Sequence, residues 1–72
     1  MNIRQVPIKC VKESVVLEID NSEVLVLHYN TLILKLVKGN QLGQYTIATI
    51  YRASVTSSKM INRVLDYYGV DR

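Results

Sequence analysis

The side chains that could carry out catalysis are few and lie far apart in the sequence. Cys10 and His28 are the only residues of their types among 72. One thiol and one imidazole form neither a disulfide framework nor a Cys/His metal cluster. Gly39, Gly43 and Gly69 lack the spacing of a phosphate-binding loop, and the carboxylates fall mostly in predicted turns and at the termini. We therefore expect a protein that is not an enzyme, with no catalytic residues, no metal ligands and no cofactor.

The two lone reactive residues have simple structural interpretations. Cys10 is expected to be a half-buried strand residue, because a reactive thiol would need a histidine and a carboxylate beside it. His28 follows a run of apolar strand residues, and we expect it to be a hydrogen-bonded or edge residue. Neither residue predicts a reaction.

A run of hydroxyl and ammonium groups is the strongest candidate for a small binding site. Thr56-Ser57-Ser58-Lys59 stands where a helix is predicted to begin, and free N–H groups at a helix N-terminus attract anions such as phosphate. The simpler interpretation is that the hydroxyls only cap the helix. Tyr45 and Tyr51 could stack on single-stranded nucleic acid, although tyrosines in sheets more often pack against neighbours.

The basic residues outnumber the acidic ones but do not form a run. Nine Lys and Arg residues against six Asp and Glu residues give a net charge of +3. A dense basic arm of the kind that binds DNA is missing, so nucleic acid is an alternative partner and not the favoured one. The candidate contacts to an anion or a nucleic acid are Lys35, Lys38, Arg52, Ser57, Ser58, Lys59 and Arg63.

The length of the chain, 72 residues, predicts a single domain over residues 1–72, because so few residues cannot build two cores. No apolar stretch reaches the roughly 18–20 residues that a membrane-spanning helix needs. The opening residues do not lead into the apolar region of a signal peptide. With a single thiol, the expected location is the cytoplasm.

Alternating apolar residues predict a hairpin in the first half of the chain. Residues 15–20 and 23–30 have the period of two that is typical of strands, and Asn21-Ser22 between them suits a two-residue turn. Leu25 and Leu27 would point to one face of this sheet. The other face would carry three opposed pairs, which are Val15 with His28, Leu17 with Val26, and Ile19 with Val24.

Further strands are predicted on both sides of this hairpin. One strand covers residues 31–38, and a glycine-containing turn over 39–43 leads to a β-branched and aromatic strand over 44–51. Residues 3–12 are expected to add an edge strand, since Pro7 is tolerated at an edge. Strict alternation over 31–38 puts Leu32, Leu34 and Leu36 on one face and Ile33, Lys35 and Val37 on the other.

One helix is predicted, over residues 56–68. Thr56 is the expected N-cap, with Val55 and Met60 as a hydrophobic staple around it. Gly69 suits a left-handed C-cap. The predicted fold class is therefore α+β, an antiparallel meander sheet of four or five strands over about residues 3–52, with one C-terminal helix packed on one face.

The strands carry more apolar side chains than one helix can cover. Strands buried on both faces read as nearly continuous apolar runs, yet a helix of about a dozen residues covers one face only. A second copy of the chain, forming a homodimer, is the expected cover for the other face. The candidate dimer face consists of Leu25, Leu27, Ile33 and Val37. The alternatives are that the N-terminal segment folds over this face, or that the apolar side chains stay exposed singly.

Two segments resemble a family of small domains carried by phages, plasmids and archaeal viruses. The segments are Tyr29-x-Thr31-x-Ile33 and Ser54-x-Thr56-Ser57-Ser58-Lys59-x-Ile61-Asn62-x-x-Leu65. The likeness covers about residues 13–69, but Met60 stands where the family usually has His and Ala53 where it usually has Tyr. The family has no established activity, so the resemblance implies an origin in a mobile element and a layout of strands followed by a helix.

These observations predict a small accessory protein of viral, phage or mobile-element origin that acts in the cytoplasm of a host cell. We expect it to work through protein–protein contacts as a homodimer, with a host or viral protein as a further partner. The alternative is a nucleic-acid-binding module that uses its modest basic surface. A clear dependence of binding on salt concentration would be the signature of that alternative.

Overall fold

A five-stranded antiparallel sheet and one helix make up the computed structural model of the protein, which describes residues 2–9, 12–39, 44–52 and 54–70. The strands lie in chain order, each bonded to the next. This architecture confirms the predicted α+β meander with one C-terminal helix. The elements are β1 (Ile3–Gln5), β2 (Ser14–Ile19), β3 (Glu23–His28), β4 (Thr31–Lys38), β5 (Tyr45–Ile50) and α1 (Val55–Tyr68).

The turn between β2 and β3 is longer than the sequence predicted. Ile19 lies opposite Glu23, so residues 20–22 form the connection. Asp20 and Asn21 have φ values of 53° and 57°, and the Ser22 N–H donates to the Ile19 carbonyl at 3.0 Å. The predicted two-residue turn is therefore wrong by one residue, and a shift of one residue moves every side chain of one strand to the other face of the sheet.

The new register changes which side chains share a face. Leu17 lies opposite Leu25 and Val15 lies opposite Leu27, where the shorter turn had paired them with Val26 and His28. Glu18 now lies opposite Val24, on the side of the sheet that the helix covers. The predicted grouping of Val15, Leu17 and Ile19 with Val24, Val26 and His28 is therefore wrong.

A β-bulge in β4 moves Ile33 into the core. Val26 lies opposite Leu34 and Leu27 lies opposite Leu32, so Ile33 is an extra residue between them. Its side chain is 1% exposed, and its carbonyl accepts a hydrogen bond from the Tyr51 N–H at 2.8 Å. Ile33 therefore lies in the core and cannot belong to an outer dimer face, because the bulge interrupts the strict alternation on which that assignment depended.

The core lies between the sheet and α1. The sheet contributes Val16, Val24, Val26, Ile33, Leu34 and Leu36, and the helix contributes Met60, Ile61, Val64 and Leu65. Val6 joins them from the segment after β1, and its N–H donates to the Val16 carbonyl at 2.9 Å. The four helix residues lie at helical spacing on one side of α1, and that side faces the sheet.

The N-terminal segment lies on the same side of the sheet as α1. Only Ile3–Gln5 pairs as a strand, so the predicted edge strand over residues 3–12 is too long within the described residues. Val6 turns into the core, and Arg63 of the helix donates to the Lys9 carbonyl at 2.6 Å. Residues 6–9 therefore do not cover the second face of the sheet. Cys10 lies outside the described residues.

The two ends of α1 show which predicted caps form. Ser54 and not Thr56 is the N-cap, and it forms a capping box in which Ser54 and Ser57 each accept a hydrogen bond from the other's backbone. Val55 is 75% exposed, so it does not act as the predicted staple. Gly69 has a φ of 68° and ends the helix in the left-handed conformation, as predicted.

Candidate protein-contact surface

The face of the sheet that points away from α1 carries eight aliphatic side chains of the described residues. We call it the open face and define it by the pairing of the strands. Its first row is Ile3, Ile19, Glu23, Val37 and Thr46. Its second row is Gln5, Leu17, Leu25, Lys35 and Thr49. Its third row is Val15, Leu27 and Leu32.

The open face is mostly aliphatic on β2 and β3 and polar on β5, and its two charged residues are Glu23 on β3 and Lys35 on β4. Most of its aliphatic side chains are half-buried by their neighbours in the sheet, while Ile3 and Leu32 are 57% and 37% exposed. On β5 the face carries only Thr46 and Thr49. Within the part of the chain that the structure describes, no element packs over it, since α1 and residues 6–9 both lie on the other side.

The structure places three of the four residues of the candidate dimer face on the open face. Leu25, Leu27 and Val37 belong to it, whereas Ile33 lies in the core. Sequence reasoning missed that Val15, Leu17 and Ile19 lie on the same face, because it had assigned them to the opposite one. The open face is therefore more extensive than the predicted set.

The seven candidate contacts to an anion or a nucleic acid do not converge on one place. Ser57 is fully buried and its hydroxyl is within hydrogen-bonding distance of Ser54, so it cannot hold a ligand. Lys35 lies on the open face. Lys38 donates to the Asn21 carbonyl at 3.0 Å and stands over the ring of Tyr45 at 5.6 Å, at the hairpin end of the sheet.

Three of the seven, together with Ser58, lie on the helix side of the molecule. Lys59 and Arg63 are exposed and four residues apart on α1, a spacing that places them on one side of a helix. Arg52 donates to the Asn62 side-chain oxygen at 3.3 Å. Ser58 is half-buried, and its backbone N–H is used in a bond to Ser54. These residues form a small basic surface that is remote from the open face.

The aromatic residues that could stack on bases are only partly free. Tyr45 packs against the core, with its ring in edge contact with Tyr68 at 5.0 Å. Tyr51 is 54% exposed. The ring of His28 is tilted against Tyr29 at 4.7 Å, and Tyr29 lies in the turn to β4 with a φ of 52°.

A buried carboxylate that sequence reasoning missed lies beneath the end of α1. Glu18 accepts hydrogen bonds from Arg4 and from the Tyr68 hydroxyl, both at 3.1 Å. Burial, together with the hydrogen bond to Glu18 and the negative charge of that carboxylate, raises the pKa of Tyr68 above its ordinary value. Burial and the charge of Glu18 also raise the pKa of Tyr45. The cluster satisfies a buried charge and joins β1, β2 and the helix.

No group of His, Cys, Asp and Glu residues with the arrangement of a metal site occurs among the described residues. The helix found in the described part of the chain is too short to cross a membrane. Comparison of the sequence and the structure with known protein families, with curated proteins and with solved structures gives no match. Met60 is fully buried in the core, and Ala53 lies outside the described residues.

Proposed function

We propose that the protein has no catalytic activity and acts through protein–protein contacts, pairing with a second copy across the open face. The observation that carries the proposal is the asymmetry of the sheet. One face is covered by α1 and Val6, while the other presents eight aliphatic side chains without cover from the described residues. Removing such side chains from water stabilises an association in proportion to the area buried.

The size of the open face suits a modest dimer. Strands about 4.8 Å apart and rows about 6.8 Å apart give the face an area of roughly 400–500 Å² per chain. Two such areas together approach the value of about 1,000 Å² at which specific interfaces begin. A chain of 72 residues also gains from such help, because a small core stabilises the fold by only a few kcal/mol. We expect a reversible dimer that dissociates on dilution.

The experiment that tests this proposal is the Leu27→Asp variant. Leu27 lies in the third row of the open face, opposite Val15 and Leu32, and a carboxylate there would be desolvated by a second subunit. The wild-type chain should have the solution mass of two chains by light scattering, and Leu27→Asp the mass of one. Val55→Asp is the matched control, because Val55 is an exposed aliphatic residue on α1 and its replacement should leave the mass unchanged.

A second variant guards against simple unfolding. Leu27→Thr introduces a β-branched residue, which suits a strand, while it removes most of the apolar surface of the side chain. Circular dichroism at low chain concentration would report whether the sheet remains. A folded Leu27→Asp or Leu27→Thr chain that keeps the mass of two chains would contradict pairing through this face.

The further proposals follow from the sequence. The resemblance to small domains of phages, plasmids and archaeal viruses supports an accessory role in the cytoplasm of a host cell, with a host or viral protein as a further partner. A nucleic-acid-binding module is the alternative, for which Arg52, Lys59 and Arg63 on the helix side are the supporting residues. That surface and the open face lie on opposite sides of the sheet, so variants of one leave the other intact.

A further inference from the structure

We infer that the second copy binds in a two-fold arrangement in which Glu23 of each chain pairs with Lys35 of the other. This inference rests on the proposed pairing through the open face and adds the arrangement of the two chains. Among the residues of the open face, Glu23 and Lys35 are the only charged ones. The face therefore carries one negative and one positive charge on an otherwise uncharged and largely aliphatic surface.

The two charged residues occupy one diagonal of a rectangle on the sheet. Glu23 lies opposite Val37, and Leu25 lies opposite Lys35 in the next row. The charges thus stand at two opposite corners, and Leu25 and Val37 stand at the other two. Both charged side chains are half-buried, and neither has a hydrogen bond or an ion pair to another described residue.

This pattern is complementary to itself. A two-fold axis that runs between the two sheets, along the diagonal from Leu25 to Val37, brings Glu23 of each chain over Lys35 of its partner. Leu25 and Val37 then meet their own counterparts. An isologous interface always forms such contacts in pairs, so one arrangement provides two ion pairs and a shared apolar centre.

The two charged residues also favour a second copy of the chain, and not a purely apolar partner, as the occupant of the open face. A partner without charges would desolvate Glu23 and Lys35 and leave both without a counter-ion, which is unfavourable. Residues 6–9 are not available as a cover, because they lie on the helix side. A second copy supplies both counter-ions at the positions where they are needed.

The test uses the two charge reversals Glu23→Lys and Lys35→Glu, with dimer dissociation constants measured by analytical ultracentrifugation. Each variant alone places like charges opposite each other twice, so its dissociation constant should rise by about tenfold or more. An equimolar mixture of the two variants should recover the wild-type constant, because one chain then carries two positive charges on its open face and the other two negative charges. Lys59→Glu, a charge reversal on the exposed side of α1, should change nothing.

The mixture separates pairing between chains from pairing within one chain. The double variant Glu23→Lys/Lys35→Glu should have the wild-type dissociation constant whether the two charges pair between chains or within one chain. The mixture of single variants recovers that constant only if the charges of one chain pair with those of the other. Two weakened variants whose mixture stays dissociated would overturn the arrangement, as would two variants that dimerise as strongly as the wild type. If the wild-type chain is a dimer and Leu27→Asp dissociates it, these results overturn only the arrangement. A wild-type chain with the mass of one chain overturns the proposed function itself.

Discussion

Single side chains tie the end of α1 to the sheet through the Glu18 cluster. Tyr68 donates to Glu18, which also accepts from Arg4, so one carboxylate links β1, β2 and the helix. The Arg4 side chain is mostly exposed while that of Glu18 is only 10% exposed. Water screens the exposed Arg4 end of this ion pair. The hydrogen bond from the Tyr68 hydroxyl, on the buried side of Glu18, therefore contributes more to stability than the ion pair does.

Because the pKa of Tyr68 is raised, the free energy of unfolding depends on pH in the alkaline range. The folded chain holds the phenol proton more tightly than the unfolded chain, in which the pKa is near 10. Below that pH both states are protonated and the contribution to stability is complete. Above it the unfolded chain loses the proton first, so the free energy of unfolding falls as the pH rises.

In the Tyr68→Phe variant, the free energy of unfolding should therefore fall less steeply with pH above pH 10 than it does in the wild type. Urea titrations between pH 7 and pH 11, at one chain concentration, would measure the slope for both proteins. At pH 7 the variant should be less stable by about 1 kcal/mol, because it lacks one hydrogen bond to a carboxylate. A smaller slope should remain in the variant, since the pKa of Tyr45 is raised as well. An identical alkaline slope in both proteins would contradict the role of Tyr68.

The N-cap gives a second prediction at the scale of the residue. Ser54→Ala removes the side chain that accepts from the Ser57 N–H and should lower the free energy of unfolding by about 1 kcal/mol. Thr56→Ala is the control, because Thr56 is exposed and not the cap, and its effect should stay below about 0.5 kcal/mol. Equal losses measured by chemical denaturation in the two variants would argue against the assignment of Ser54.

The existence of the elements was readable from the sequence, but their faces were not. Alternation marked β2, β3 and β4, turn residues separated them, and Gly69 marked the end of α1. One further turn residue at position 20 then reversed the faces of β2 relative to β3, since the side-chain period of a strand is two. A two-residue turn at Asn21-Ser22 and a three-residue turn over residues 20–22 are both plausible, because Asp20, Asn21 and Ser22 all suit turns. The sequence alone could not distinguish the two lengths.

The bulge at Ile33 was equally hidden. Residues 31–38 contain consecutive aliphatic side chains, so the extra residue interrupts no visible pattern. Ser54, Thr56 and Ser57 are likewise three similar candidates for one cap, and only the geometry separates them. Leu25, Leu27 and Val37 of the candidate dimer face do share one face of the sheet, because β3 and the end of β4 keep their relative alternation beyond the bulge.

Because of the bulge in β4, we expect a substitution at Ile33 to destabilise the fold more than one at Leu32. Ile33→Ala should lower the free energy of unfolding by about 2–5 kcal/mol, because it leaves a cavity in the core. Leu32→Ala, on the open face, should lower it by less than about 1 kcal/mol at chain concentrations where monomers dominate. Strict alternation, which groups Leu32 with Leu34 and Leu36, expects the reverse order. Denaturation curves of the two variants distinguish these outcomes.

At the scale of the whole molecule, the fold has one core on one side of the sheet, which helix α1 and Val6 close. Over residues 2–9, 12–39, 44–52 and 54–70, the side chains on the other side of the sheet are shielded only by one another. Contiguous apolar patches of a few hundred Å² on small proteins are often functional, which supports the proposed association. The edge strand β1 is short, and β5 has a bulge at Ala48. Both features make the two edges of the sheet poor templates for strand addition, which is consistent with the proposed association through the open face.

The most direct test is the mass of the wild-type chain in solution as a function of concentration. Light scattering on a dilution series should give twice the 8.2 kDa of one chain at high concentration and fall toward one chain on dilution, as a modest interface requires. A particle that keeps the mass of a single chain at every concentration, with its sheet intact, would contradict a second copy on the open face.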